Sequence, residues 1–220
     1  MPLTRPRRGL LFVFTLALAA GVALAAQNPL PQTTAAATAQ RGGGGRGGRG
    51  GIQAMTLSTS AWGDGAQIPV KHAQPGHDVS PPLTWSDPPD GTASFTLVVH
   101  DLDAPIANGS DDVLHWLVWN IPATSRALPE GLPQGPQLPD GLRQISATGP
   151  YYRGPAAPAS GPVHHYVFEL FALDTTIDVA PVGATQALSA APVIRAAVVT
   201  AMAGHIRGKA VMVGLFRRAP

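Results

Sequence analysis

The sequence predicts a mostly β domain, a sandwich or a barrel, with one helix late in the chain. Three observations predict it. Beyond residue 54 Gly and Pro recur densely, and the runs between them are short. Those runs are rich in Val, Leu, Phe and Trp and alternate at the two-residue period of a strand. Only one stretch, near the C-terminal end, carries the start and stop signals of a helix. The 220 residues suffice for one well-buried domain with appendages. Charged residues are 13% and apolar ones 45%, which argues for a packed core and against a wholly disordered or nucleic-acid-coating chain.

Taken in order, residues 1–25 have the three parts of an export signal: Arg5, Arg7 and Arg8, then the apolar run Leu10–Leu24, then the small-residue site Ala23-Leu24-Ala25. Cleavage is expected after Ala25 or Ala26. The apolar run is shorter than the ~20 residues a spanning helix needs, which favours a removable signal over a retained anchor. The mature protein is therefore expected to be periplasmic or secreted, without a transmembrane anchor. The Arg7-Arg8 pair also permits a twin-arginine route.

Residues 26–54 turn to Gln, Pro, Thr and Ala and then to a Gly/Arg run. Such a segment has too little apolar surface to offset the entropy of ordering it, so a flexible tether is expected. Arg-Gly-Gly repeats can track nucleic-acid backbones when stacking helps. Here only Arg41, Arg46 and Arg49 punctuate the run and no aromatic residue is interleaved, so no nucleic-acid partner is expected.

The folded domain is expected over residues 55–218. Ser94–His100 alternates, with Phe95, Leu97 and Val99 on one face. Val113–Ile121 is apolar on both faces, as a central strand covered on either side would be. His164–Leu173 puts His164, Tyr166, Phe168 and Leu170 on one face and Val167, Phe171 and Leu173 on the other. A helix is predicted over 191–203, with Pro192 in its first turn and Gly204 as its stop, and a last strand over 209–216. Trp85, Trp116 and Trp119 read as core rather than as a stacking platform.

Chemistry is sought among polar residues inside or at the ends of apolar strands. Asp101 and Asp103 lie in DLDAP, where Pro105 is expected to stop the strand and turn the chain. His115 falls within VLHWLVWNIP, where an imidazole without a partner costs about 1–3 kcal/mol. His164 opens HHYVFELFALD. Between them GPYYRGPAAP, residues 149–158, combines glycines that admit close backbone approach with prolines that stiffen the loop. Singly, each has a plain reading: carboxylates capping a turn, a structural histidine, a rigid connection. The absence of cysteine excludes disulfides, thiolate metal sites, thiol nucleophiles and lipid attachment at a cysteine.

Together the strings resemble the phosphatidylethanolamine-binding protein family, whose eukaryotic members include the Raf kinase inhibitor protein and whose bacterial members are called Raf kinase inhibitor-like. The resemblance runs through HDVSPPLTW at 77–85, SFTLVVHDLDAP at 94–105, HWLVWNIP at 115–122, YYRGPAAP at 151–158, HHYVFELFALD at 164–174 and AMAGHIRGKAVMVGLFRR at 201–218. It implies a β-sandwich of antiparallel sheets with one or two short C-terminal helices. It also implies a small surface pocket for phosphate-bearing headgroups or other anions, lined by Asp101, His115, Gly154, Pro155, His164 and Tyr166. Asp103 and Pro105 then support the turn, and Tyr152 is added because its hydroxyl could donate to a bound oxygen. Backbone N–H groups of the Gly154 loop are expected to complete the anion cradle.

The chain departs from the family pattern at several places. Leu102 replaces the usual Pro of the turn, Asp78 stands where Asn is usual in bacterial members, and Ala156 and Ala157 change the pocket rim. The Gly/Pro-rich insert 133–146 could lie over the site or away from it. Three classes of function follow: a binding module for a small anionic ligand, an inhibitor acting on a protein partner such as a kinase or hydrolase, and a metal-dependent or acid/base enzyme. No GxSxG elbow, HExxH or P-loop is present, so the expectation is a non-enzymatic module without cofactor or metal.

Overall fold

The computed structural model describes residues 51–220; the export signal, its cleavage site and nearly all of the Gly/Arg tether lie outside the described residues. Ten strands and one α-helix follow: β1 (Gln53–Ala54), β2 (Thr56–Ser58), β3 (Ala66–Gln67), β4 (Leu83–Ser86), β5 (Ser94–Ile106), β6 (Asp111–Pro122), β7 (Ala127–Leu128), β8 (Arg143–Ile145), β9 (His164–Leu173), α1 (Ala184–Met202) and β10 (Ile206–Phe216). The expected mostly β architecture is present. A seven-stranded sheet runs in the order β1-β10-β9-β5-β6-β8, with β3 also on β10, and a three-stranded sheet runs β2-β4-β7.

Three layers result, because the large sheet is apolar on both faces. One face meets the small sheet through Leu57, Leu83, Trp85, Phe95, Leu97, Val99, Trp116, Phe168 and Leu170. The other meets α1 through Val98, Leu117, Trp119 and Leu173, against Ala187, Ala191, Ile194, Val198 and Met202 of the helix. Trp85, Trp116 and Trp119 are all buried, as expected of core residues.

Three expectations are corrected. The large sheet is mixed rather than purely antiparallel, since β1 and β3 both pair parallel with β10. The helix begins at Ala184, so Pro192 sits inside it rather than in its first turn. Pro192 is exposed, so the carbonyl that loses its partner lies on the solvent side. Nor does Pro105 stop its strand. The pairing skips from Asp101↔Val113 to Pro105↔Asp112, so Leu102, Asp103 and Ala104 bulge out and β5 continues to Ile106.

The insert 133–146 lies away from the site. Gln144, 1% exposed, receives a hydrogen bond from Trp116 Nε1 and donates to the carbonyls of Pro133 and Gly135, pinning the insert to the β6 edge of the sheet.

Candidate functional site

A second register jump creates the site. Val99 pairs with Trp116 but the next residue, His100, pairs with Leu114, so His115 is an extra residue in β6. A bulge of this kind re-aims a side chain that regular alternation would send elsewhere. His115 is 3% exposed, and its Nδ1 lies 2.8 Å from the carbonyl of Arg153. A carbonyl only accepts, so Nδ1 carries the proton and Nε2 presents a lone pair when the ring is neutral. Burial lowers the His115 pKa; the Arg153 carbonyl works against that, and the Arg153 charge adds to the lowering.

The other members come from β5, β9 and the loop before β9. Asp101, 3% exposed, accepts from His164 Nδ1 at 2.9 Å and from the N–H of Asp103 at 3.0 Å. Tyr166 stands between the imidazoles, edge-on to His115 with centroids 5.0 Å apart and roughly parallel to His164 at 6.4 Å. Its hydroxyl accepts from the N–H groups of Ala156 and Ala157, and its pKa is pushed up by burial first and by the Asp101 carboxylate next. These residues line a cavity of about 200 Å³, together with Ala104, Val113, Arg153 and Pro158.

Of the residues singled out in the sequence, Asp101, His115, His164 and Tyr166 meet in this cavity. The rest stand elsewhere. Tyr152 points into the core, edge-on to Trp116, and its buried hydroxyl donates to the carbonyl of His72; burial raises its pKa. Gly154 and Pro155 are buried behind the wall rather than lining it. A Cβ on Gly154 would meet the carbonyl oxygen of His72 at 2.5 Å and Asp78 Oδ1 at 2.6 Å, so glycine here serves loop packing.

Nor does the loop offer the expected cradle of free N–H groups. The N–H of Arg153 donates to the His115 carbonyl, that of Gly154 to Asp78 Oδ1, and those of Ala156 and Ala157 to Tyr166. Asp103 binds the first residues of β9. Its carboxylate takes the N–H of His165 at 2.6 Å and His165 Nδ1 at 2.8 Å, tying the bulge of β5 to the start of β9. Those bonds lower the Asp103 pKa against the opposing effect of burial. Pro105 re-enters the β5 ladder opposite Asp112 just past that bulge.

Sequence reading missed Arg153. Its guanidinium has no hydrogen-bond or ion-pair partner among the described residues, while its side chain lines the cavity beside His115 and His164. The available signal was a cation inside an otherwise apolar Gly/Pro loop. Among the described residues no group of three or more His, Asp or Glu side chains is arranged to hold a metal ion.

Fold and cavity thus define a class: a β-rich, two-sheet domain with a small polar pocket where a bulged histidine strand meets a Gly/Pro loop. A family profile for phosphatidylethanolamine-binding protein matches residues 58–217. The chain belongs to that family. It is 39% identical over 166 residues to a UPF0098 protein of Methanothermobacter thermautotrophicus, covering 74% of this chain and 99% of the relative. LppC of Mycobacterium tuberculosis, which carries a lipoprotein name, is 35% identical over 164 residues, 74% of this chain and 72% of the relative. Among solved structures, a phosphatidylethanolamine-binding protein homologue from Chlamydia trachomatis superposes with a TM-score of 0.59 at 30% identity, covering 76% of this chain and 99% of that one. Escherichia coli YbcL, described as a member of the mammalian family, gives 0.56 at 27% identity, covering 74% and 98%.

Proposed function

We propose that the protein is an exported binding module whose pocket takes a small phosphate-bearing or similar anionic ligand. The observation that carries the reading is that His115, His164 and Arg153 line one small cavity, while among the described residues His115 Nε2, His164 Nε2 and the Arg153 guanidinium make no hydrogen bond or ion pair. Asp101 does not oppose an anion outright, because its carboxylate is engaged by His164 Nδ1 and the Asp103 N–H. Export is supported by the signal-like N-terminal sequence and by the lipoprotein name of the mycobacterial relative.

The tautomer of His115 predicts how binding varies with pH. With Nδ1–H given to Arg153, a bond between Nε2 and a phosphoryl oxygen needs one more proton. It comes from imidazole protonation or from the phosphate itself, whose second pKa is about 6. Either source makes affinity rise as pH falls. Calorimetric or NMR titration of inorganic phosphate and phosphorylethanolamine should show severalfold tighter binding at pH 6 than at pH 8, abolished in His115→Ala and His164→Ala. A folded wild-type protein that binds neither ligand at either pH would remove the anion reading in favour of a protein partner.

A further inference from the structure

Residues 107–110 form the tip of the β5–β6 hairpin, beyond its last ladder pair, Ile106↔Asp111. Ala107, Asn108 and Gly109 all have positive φ, at 49°, 58° and 88°. Glycine takes such values freely and asparagine tolerates them, but at Ala107 the Cβ opposes them. All four tip residues are exposed. Ser110 donates to the Ala107 carbonyl from both its N–H and its Oγ, whereas the Asn108 side chain makes no hydrogen bond among the described residues. Beyond its chain neighbours, a Cβ on Gly109 would meet no atom within 4 Å, so the space around this peptide is open. Asn120 supplies the contrast. Its φ is also 58°, but its amide donates to the Ile177 carbonyl and its Oδ1 accepts from the Ile177 N–H, and the next residue is the buried Ile121.

We infer that the hairpin tip is a self-modification site, where Asn108 converts to aspartate and isoaspartate through a cyclic imide closed with Gly109. The Gly109 nitrogen gives up its proton and attacks Asn108 Cγ; the Cγ–Nδ2 bond breaks and ammonia leaves. Water then opens the imide at either carbonyl, giving aspartate from one side and isoaspartate, with one more main-chain carbon, from the other. At ψ 29° the Gly109 nitrogen is turned away from Cγ, so the ring closes only as the turn opens. Opening breaks no ladder pair, because the tip lies outside the ladder. The product puts a third carboxylate on a hairpin end where Asp111 and Asp112 already share Arg195. The same hairpin carries Asp101 and His115 of the pocket.

The test incubates the full chain warm at pH 8 for several weeks, native and unfolded in urea, and maps its peptides by mass spectrometry. The native protein should show amide-to-acid conversion at Asn108 and none at Asn120, with isoaspartate the larger product. Gly109→Ala should slow the conversion about tenfold in the native and the unfolded chain alike, because a Cβ hinders the attacking nitrogen. An Asn108 that stays intact in the native protein would overturn the inference, and the urea arm would then show whether the fold or the local sequence protects it. An unchanged rate in Gly109→Ala would overturn the imide route. Equal conversion of Asn108 and Asn120 in the native protein would overturn the part assigned to the tip.

Discussion

His100 and His115 sit one register step apart in the same sheet and face opposite layers, and their environments drive their protonation in opposite directions. His100 faces α1. Its Nδ1 lies 2.5 Å from Asp112 Oδ2 and its Nε2 3.4 Å from Glu169 Oε2. Burial works to lower its pKa, but the Glu169 and Asp112 carboxylates outweigh it and the pKa is raised. Glu169 is correspondingly held down to about 2, by His100 first and Lys209 as well, against its burial. His115 faces the pocket, where burial and the Arg153 charge lower its pKa against the Arg153 and Gly154 carbonyls and the Asp101 carboxylate. Burial is common to both; the charged neighbours decide. One face of the sheet is fastened by a closed charge network of Asp111, Asp112, Arg195, His100, Glu169 and Lys209, and the other leaves its nitrogens open.

The largest expected effect comes from breaking the closed network. His100→Ala leaves Asp112 and Glu169 without their shared cation and should destabilise the fold by about 3 kcal/mol at pH 6. Because the folded pKa is raised, the stabilisation is complete below the unfolded value near 6.5 and is lost as pH rises through the folded value. Urea denaturation should therefore show the gap between wild type and variant narrowing toward pH 9. A constant gap would mean that His100 acts by packing alone.

The open face should behave oppositely. His115→Phe keeps the bulk but deprives the Arg153 carbonyl of its donor, at about 1 kcal/mol. With the folded pKa lowered, wild-type stability is complete above about 6.5 and falls as pH drops below it. The gap between wild type and His115→Phe should therefore narrow toward pH 5, the reverse of the His100 result. Thermal melts at pH 5 and pH 8 on both variants give the two trends side by side. The smallest effect is expected at the loop behind the pocket. Asp78→Asn retains an oxygen to accept the Gly154 N–H, so stability should change by less than about 0.5 kcal/mol.

The large sheet was legible because its strands are long enough to show a period. Ser94–His100, Val113–Ile121 and His164–Leu173 were read from alternation or continuous apolarity, and each lies within or equals an observed strand. The short strands were not legible, since two to four residues are too few to establish a period. The helix start was misplaced because Ala184–Ala190 has no side-chain cap to announce it, whereas Pro192 looked like a beginning. At the site, the resemblance picked out the strand residues that meet in the cavity. The loop residues failed for a physical reason. Glycine in such a loop can serve a ligand or the chain's own packing, and only the atoms opposite it, here Asp78 and the His72 carbonyl, decide which.

The single extra residue in β6 has a further consequence. His115 reaches the pocket because the strand is one position longer than its partner requires between Leu114 and Trp116. A one-residue deletion there would leave a tidier ladder and no pocket imidazole, so better pairing and loss of the site would arrive in the same event. The site is specified by a count as much as by a residue type. In comparing relatives across this strand, the placement of a single gap decides whether a histidine is matched to the pocket or to the sheet.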